Sequence, residues 1–262
     1  MTGQLRAPRS VLVVATLTVA FLALPVLALL QRAPWSGLVD LLRRREVVDA
    51  LGVSLLVSMV AAGIVLVLGT QLAWVLARVD VPFRRLVRAL VILPMVLPPV
   101  VGGTALLFAL GRRGLAGQWL ERWFDLTLPF TTAGAVVAAT FVALPFFVIT
   151  VEGALRTSGD DLEQVASTLG ADPLTVLRRI TLPRLLPAMG AGLALAWARA
   201  LGEFGATITF AGNLPGRTRT LPLATFQALE SDPEAAVALS LVLLVVSLAV
   251  LLPTRHRWLP TQ

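Results

Sequence analysis

The 262-residue chain contains no cysteine, no tyrosine, no lysine and a single histidine, His256. Without cysteine there is no disulfide framework and no thiol chemistry. One histidine, in the tail, leaves no cluster for a histidine metal centre within the chain, and no Ser–His or metal constellation of a hydrolase is visible. A phosphate-binding P-loop requires its lysine, so this chain does not hydrolyse ATP by that route. Charge is scarce as well. Only 14% of residues are ionised, against about 25% in a soluble domain. What fills the chain is apolar: 57% of residues are hydrophobic and the mean hydropathy is +0.85.

The apolar residues fall in six runs, roughly 11–30, 50–77, 89–110, 128–151, 185–211 and 235–252. Each approaches or exceeds the ~20 residues needed to cross the hydrocarbon layer. In lipid every backbone polar group must be paired internally, so the runs are predicted to be helices. The alternating ten-residue pattern of a β-barrel is absent. All runs but the fifth lack ionisable residues. Arg6 and Arg9 before the first run resemble the basic start of a signal peptide. That run is longer than a signal core, and Leu29-Leu30-Gln31 offers no small-residue cleavage site, so a retained helix is expected.

The net charge of +7 does not point to nucleic acid. The arginines sit at span ends, as residues that anchor helices at head groups do. Six spans put both termini on one side. If that side is cytoplasmic, twelve arginines fall inside and nine outside, with Arg199 within a span. The positive-inside rule then favours both termini inside, although Arg43–Arg45 on the outer side oppose it.

Between the fourth and fifth runs, residues 152–184 are polar and turn-rich. Asp160-Asp161-Leu162-Glu163 reads as a capping box. Leu162, Val165, Ala166 and Leu169 share one helical face. Gly170 is placed to stop that helix through a positive φ. Asp172-Pro173 starts a second helix with an N-cap and a proline at its first position. Leu174, Leu177 and Ile180 give it an apolar side, and Leu182-Pro183 is expected to end it. The result is a helix–glycine–helix elbow outside the bilayer. It suits either an amphipathic connector on the membrane surface or a docking element for another protein.

"EQVASTLGADPLTVLRRITLP" (Glu163–Pro183) resembles the signature loop of ABC-type import permeases. Ala166, Gly170, Ala171, Ile180, Leu182 and Pro183 match that pattern. The sequence departs from it at Gln164, which holds the usual Glu position with Glu163 one place earlier, at Val165 for Ala, and at Leu177 for Phe. The resemblance implies an all-α membrane fold of six helices, the type I importer permease fold. It implies a cytoplasmic loop seated in a cleft of a separate ATPase subunit, which carries the ATP and Mg. This chain itself then holds no cofactor.

The fifth run contains Arg199 and Glu203, four residues apart and so on one face of a helix. A lone charge at that depth costs at least ~2.5–3.5 kcal/mol, so the pair must face protein or a water-filled path. Two readings stay open: an ion pair that glues helices together, or a pore lining for an anion with Arg199 attracting and Glu203 offsetting. Thr207 and Thr209 offer hydroxyls to an oxyanion or bond their own backbone. Gly202, Gly205 and Gly212 permit close helix approach. In the third run "LPMVLPPVVGG" carries Pro94, Pro98, Pro99, Gly102 and Gly103, a kink that serves packing or a gate. Pro129 and Pro145 are expected to act likewise in the fourth.

After the fifth run, Asn213, Pro215 and Gly216 form a turn, followed by Arg217, Thr218, Arg219 and Thr220. Bare, this is a solvated loop with a mild preference for anions. "RALGEFGATITFAGNLPGRTRTLPLA" (Arg199–Ala224) closely resembles the molybdate/tungstate importer permeases. Sulfate permeases share "RALGEFGA" and differ after the Gly-Asn. The resemblance runs from about Leu51 to Leu252. It implies a multi-pass permease in a bacterial cell membrane, working as a homodimer with two ATP-binding subunits and an extracytoplasmic molybdate-binding protein. A sulfate or thiosulfate importer is the nearest alternative. An ion-coupled secondary transporter with Glu203 as proton site would not explain the elbow, and no inverted repeat is visible.

Overall fold

The structure, a computed structural model, describes residues 8–254; Arg6, Arg255, His256 and Arg257 lie outside them. The described residues are almost wholly helical. In order they form α1 (Arg9–Gln31), α2 (Leu38–Arg43), α3 (Arg45–Arg78), α4 (Arg84–Val96), α5 (Pro99–Leu110), α6 (Gly117–Phe124) and α7 (Thr132–Thr157). Then follow α8 (Asp161–Thr168), α9 (Pro173–Val176), a π-helical turn (Leu177–Thr181), α10 (Leu182–Leu201), α11 (Gly205–Phe210), α12 (Leu221–Ser231) and α13 (Pro233–Thr254).

The core lies where α3, α7 and α10 meet. Small residues let these helices close: Ala61, Ala73, Ala139, Ala143 and Ala196 have no exposed surface. Phe147 is the wedge between them. A Cβ on Gly69 of α3 would lie 2.6 Å from its ring, and one on Gly192 of α10 would lie 3.3 Å from it. The outward surfaces remain apolar and exposed. No residue of α1 is buried, and it packs only lightly, against α13. This is the arrangement of helices that meet lipid rather than water.

Five helices are long and apolar enough to cross a membrane alone. The third predicted span is not one helix. It breaks at Leu97–Pro98 into α4 and α5, bent by 120°. Pro98 and Pro99 deprive the ladder of two N–H donors at that point. The stretch that contains the pair still makes one crossing. Arg88 near the start of α4 binds Glu152 near the end of α7, whereas α7 begins at the opposite end of the bundle. Its Thr132 there donates to the Arg217 carbonyl. The chain must therefore traverse the bundle between Arg88 and Thr132.

The fifth predicted span is also broken: α10 stops at Leu201, and α11 restarts at Gly205. Pro129 lies before α7 and kinks no helix, while Pro145 sits inside an uninterrupted α7. Residues 152–157, expected in the loop, are the last turn and a half of α7.

Candidate functional site: an elbow at one end, a broken helix pair toward the other

At the elbow, Gly170 has φ +87°. Its N–H donates to the Ser167 carbonyl at 3.0 Å and the Ala171 N–H donates to the Ala166 carbonyl at 3.0 Å, a Schellman closure of α8. Asp172 caps α9. Its Oδ1 accepts from the N–H groups of Leu174 (3.0 Å) and Thr175 (3.1 Å), and the Thr175 hydroxyl donates to Oδ2 at 2.6 Å. These hydrogen bonds, the Thr175 hydroxyl foremost, hold the Asp172 carboxyl below its ordinary value of 3.8.

Two expectations fail here. Asp160 caps nothing with its side chain, and Glu163 does not fold back to form a capping box. Glu163 turns inward instead. Its Oε2 accepts from Arg78 Nε at 3.0 Å and its Oε1 accepts from the Thr181 hydroxyl at 2.9 Å. Arg78 Nη2 also donates to the Gly159 carbonyl at 2.5 Å. Nor does Leu182-Pro183 end the second helix, which continues through the π turn into α10. Pro183 cannot bond the Arg179 carbonyl and would crowd it. The wider π turn, just N-terminal to Pro183, makes room for the ring.

The elbow's apolar face stays uncovered. Leu162, Val165, Leu169 and Leu174 are exposed, Leu169 at 83%. Gln164 is exposed as well, and Ala166, Ala171, Leu177, Ile180 and Leu182 are half-buried. Below the elbow, Glu152 takes Arg88 (2.7 Å) and Arg156 (3.1 Å), joining the start of α4 to the end of α7. Arg78, Arg88, Glu152 and Thr181 were not singled out by sequence. Only the Glu152–Arg156 spacing carried a local signal; Arg78 and Glu163 are 85 residues apart.

Further along α10, Arg199 and Glu203 do not share one helix. Arg199 lies in the last turn of α10 and Glu203 lies in the break beyond it. Arg199 Nη1 is 2.6 Å from Glu203 Oε2, an ionic contact rather than an aligned hydrogen bond. Glu203 Oε1 accepts from the Ala206 N–H at 2.7 Å. The cation thus faces the carbonyl end of one helix and the anion the amide end of the next, the favourable sense at each. The Glu203 side chain is 2% exposed and that of Arg199 26%. Thr209 donates to the Gly205 and Ala206 carbonyls, and Thr207 is buried.

The broken halves pack on each other. A Cβ on Gly103 would fall 1.8 Å from Thr209 Oγ1 and 2.7 Å from the Ala206 carbonyl oxygen. A Cβ on Gly205 would fall 2.6 Å from Pro99 Cβ. Gly103 of α5 and Gly205 of α11 therefore bring the backbones of the two helices into contact, next to the Arg199–Glu203 pair.

The segment expected to be a solvated, anion-preferring loop is largely built in. Thr218 and Thr220 are buried. The Thr218 hydroxyl accepts from the Leu214 N–H. Arg219 Nε donates to Asn213 Oδ1 at 2.9 Å, and Asn213 Nδ2 donates to Gln227. The Leu221 N–H donates to the buried Ser54 hydroxyl at 2.6 Å. Pro215, Gly216 and Arg217 remain exposed at the tip of the turn.

The profile of the family described as "Binding-protein-dependent transport system inner membrane component" matches residues 66–259. The chain belongs to that family. The molybdenum transport system permease protein ModB of Mycobacterium tuberculosis is 48% identical over 94% of this chain and 92% of its own length. The Escherichia coli protein of the same name is 42% identical over 80% of this chain and 92% of its own. The sulfate permease CysT of Salmonella typhimurium is 40% identical over 88% and 84%. Among solved structures, a bacterial ABC transporter that imports the acidic polysaccharide alginate covers 95% of both chains at TM-score 0.75 and 19% identity. The MetNI methionine ABC transporter covers 80% of this chain and 93% of its own at TM-score 0.63 and 18% identity. Those likenesses give the fold, that of ABC importer permeases. As a family member the chain is a multi-pass inner-membrane component of a transport system, and the elbow, the broken pair and the turn all fall within residues 66–259.

Proposed function

We propose that this chain is the permease subunit of an ATP-driven importer for molybdate, with tungstate as a close mimic. One observation carries the substrate. Likeness to the molybdenum permeases reaches 48% identity over 94% of the chain, against 40% over 88% for the sulfate permease. Sulfate is the second reading for that reason.

In this proposal two copies of the chain enclose the path, two ATP-binding subunits hold the ATP and Mg, and an extracytoplasmic binding protein delivers the oxyanion. The elbow is cytoplasmic, and both termini with it. Its exposed leucines and valine seat in the ATP-binding subunit. Closure of that subunit moves α8 and α9, and Glu163 passes the movement to α3 through Arg78 and to α10 through Thr181. The path opens and closes where α5 and α11 meet, with Arg199 on its wall. The chain forms and breaks no covalent bond. What supports the coupling step is that the elbow exposes an apolar face and is tied to two crossing helices by one carboxylate.

The test is ATP hydrolysis by the reconstituted complex with loaded binding protein. Molybdate-loaded protein should stimulate turnover, and Gly170→Asp should abolish stimulation while the complex still inserts. Greater stimulation by sulfate-loaded protein would transfer the substrate to the second reading.

A further inference from the structure

At the end of the bundle opposite the elbow, α6 follows α5 through a tight turn. The Leu115 N–H donates to the Phe108 carbonyl at 3.1 Å and the Ala116 N–H to the Ala109 carbonyl at 2.8 Å. A Cβ on Gly117 would lie 1.9 Å from the Gly111 oxygen. The helix is therefore fixed to the end of the broken crossing by backbone contacts.

Its faces are sharply divided. Trp119, Leu120, Trp123 and Phe124 share one arc, and Gln118, Glu121 and Arg122 the other. The apolar arc finds no core within the chain: Trp119 is 42% exposed, Trp123 68% and Phe124 71%. Trp35, after α1 and on the same side, is 62% exposed, whereas Trp197 within the bundle is buried. Exposed tryptophan at the end of a helix bundle is the mark of a membrane–water interface. Charge agrees. Arg112, Arg113 and Arg122 stand against Glu121 and Asp125. Arg112 is held by Glu121, and Arg122 lies over the Trp119 ring at 5.2 Å from its centroid. Arg113 and Arg122 have no ion-pair partner among the described residues.

We propose that α6 is an interfacial helix whose tryptophans seat in the leaflet opposite the elbow and whose Arg113 and Arg122 bind the phosphate of an anionic phospholipid. The bound lipid pins the outer end of α5, and so the Gly103 contact with α11. This rests on the membrane-spanning reading of the chain and is independent of the transported ion.

The absence of cysteine allows a clean test. A fluorescent label on Leu115→Cys, a site 82% exposed, is read in the full complex in nanodiscs containing phosphatidylglycerol or phosphatidylcholine with a nitroxide high on the acyl chain. Retained stimulated ATP hydrolysis certifies the labelled complex. The labelled phosphatidylglycerol should quench more than phosphatidylcholine at equal mole fraction, its affinity for the site being higher by about fivefold for each arginine that meets its net charge and about 25-fold for two. Arg113→Gln with Arg122→Gln should erase that preference yet leave quenching by both lipids. No quenching by either lipid would show that water or another protein covers α6, and would overturn the proposal. Equal quenching in the unsubstituted helix, or a preference that survives the double substitution, would overturn it too.

Discussion

Glu163 Oε2 lies 3.0 Å from Arg78 Nε, and both side chains are about 15% exposed. One carboxylate thus ties the elbow to the end of α3, while its other oxygen ties the elbow to Thr181 at the root of α10. Glu163→Ala should free α8. Losing partly buried charged hydrogen bonds of this kind removes about 1–3 kcal/mol. Amide exchange across residues 160–176 should accelerate by roughly ten- to a hundredfold (1.4 kcal/mol per decade), and stimulated ATP hydrolysis should fall. Gln164→Ala, at an exposed position, should leave exchange unchanged. Equal effects at both positions would refute the assignment of the tie to Glu163.

Gly170→Ala strains the backbone without a clash, because φ is +87° and nothing lies within 4 Å of the added Cβ. The left-handed region disfavours a side chain by roughly 1–2 kcal/mol, so elbow stability should drop by about that much. Gly170→Asn, which tolerates the region better, should recover part of it. If alanine at 170 abolishes stimulation although exchange shows the elbow folded, the face around Gly170 is itself contacted by the partner.

At Gly103 an added methyl meets the Ala206 backbone, not merely the Thr209 side chain. Gly103→Ala should therefore destabilise by about 1–3 kcal/mol or more, the range for overpacking. Combining it with Thr209→Ala should not restore stability. Gly153→Ala, with nothing within 4 Å, is the control and should be neutral or slightly stabilising. Full rescue by Thr209→Ala in a thermal unfolding series would contradict backbone contact between α5 and α11.

Arg199→Met leaves Glu203 buried without its cation, a loss of about 3–5 kcal/mol. Adding Glu203→Gln, whose oxygen still accepts from the Ala206 N–H, should return most of the stability. Transport then separates the two readings of the pair. Restored uptake in the double variant would make the pair a structural clamp; a folded complex without uptake would put Arg199 on the path.

For Asp172 the folded carboxyl titrates below its ordinary 3.8. Its capping contribution is therefore complete above that value and is lost as pH falls through the lower folded value. The Thr175 amide resonance, followed by threonine labelling, should titrate below pH 3.8, and Asp172→Asn should flatten the curve.

The membrane class and the elbow were legible because their signals are local. Hydropathy is read over ~20 residues, and Gly170 and the Asp172–Pro173 cap each lie within one turn of what they control. The breaks at Leu97 and Leu201 were less legible, because proline and glycine in membrane helices are tolerated whenever neighbours satisfy the backbone. That condition is tertiary. Glu163 shows the same limit. Three residues past Asp160 it fits a capping box, yet Arg78, 85 residues earlier, offers a stronger partner. Arg219 departs from a solvated loop for a like reason: it has an Asn213 partner six residues away, folded into a turn that spacing alone does not reveal.

The π turn over Leu177–Thr181 carries one residue more per turn than the helices it joins. In an α-helix each residue advances the phase by about 100°. The wide turn absorbs its surplus residue within a single turn, so α8 and α9 keep the bearing an unbroken α-helix would give them while the residues before it are shifted one place in register. A single-codon deletion would thus leave Leu169 and Leu174 facing as they do, but it would close the turn to α width and press the Pro183 ring on the carbonyl four residues before it, kinking the root of α10.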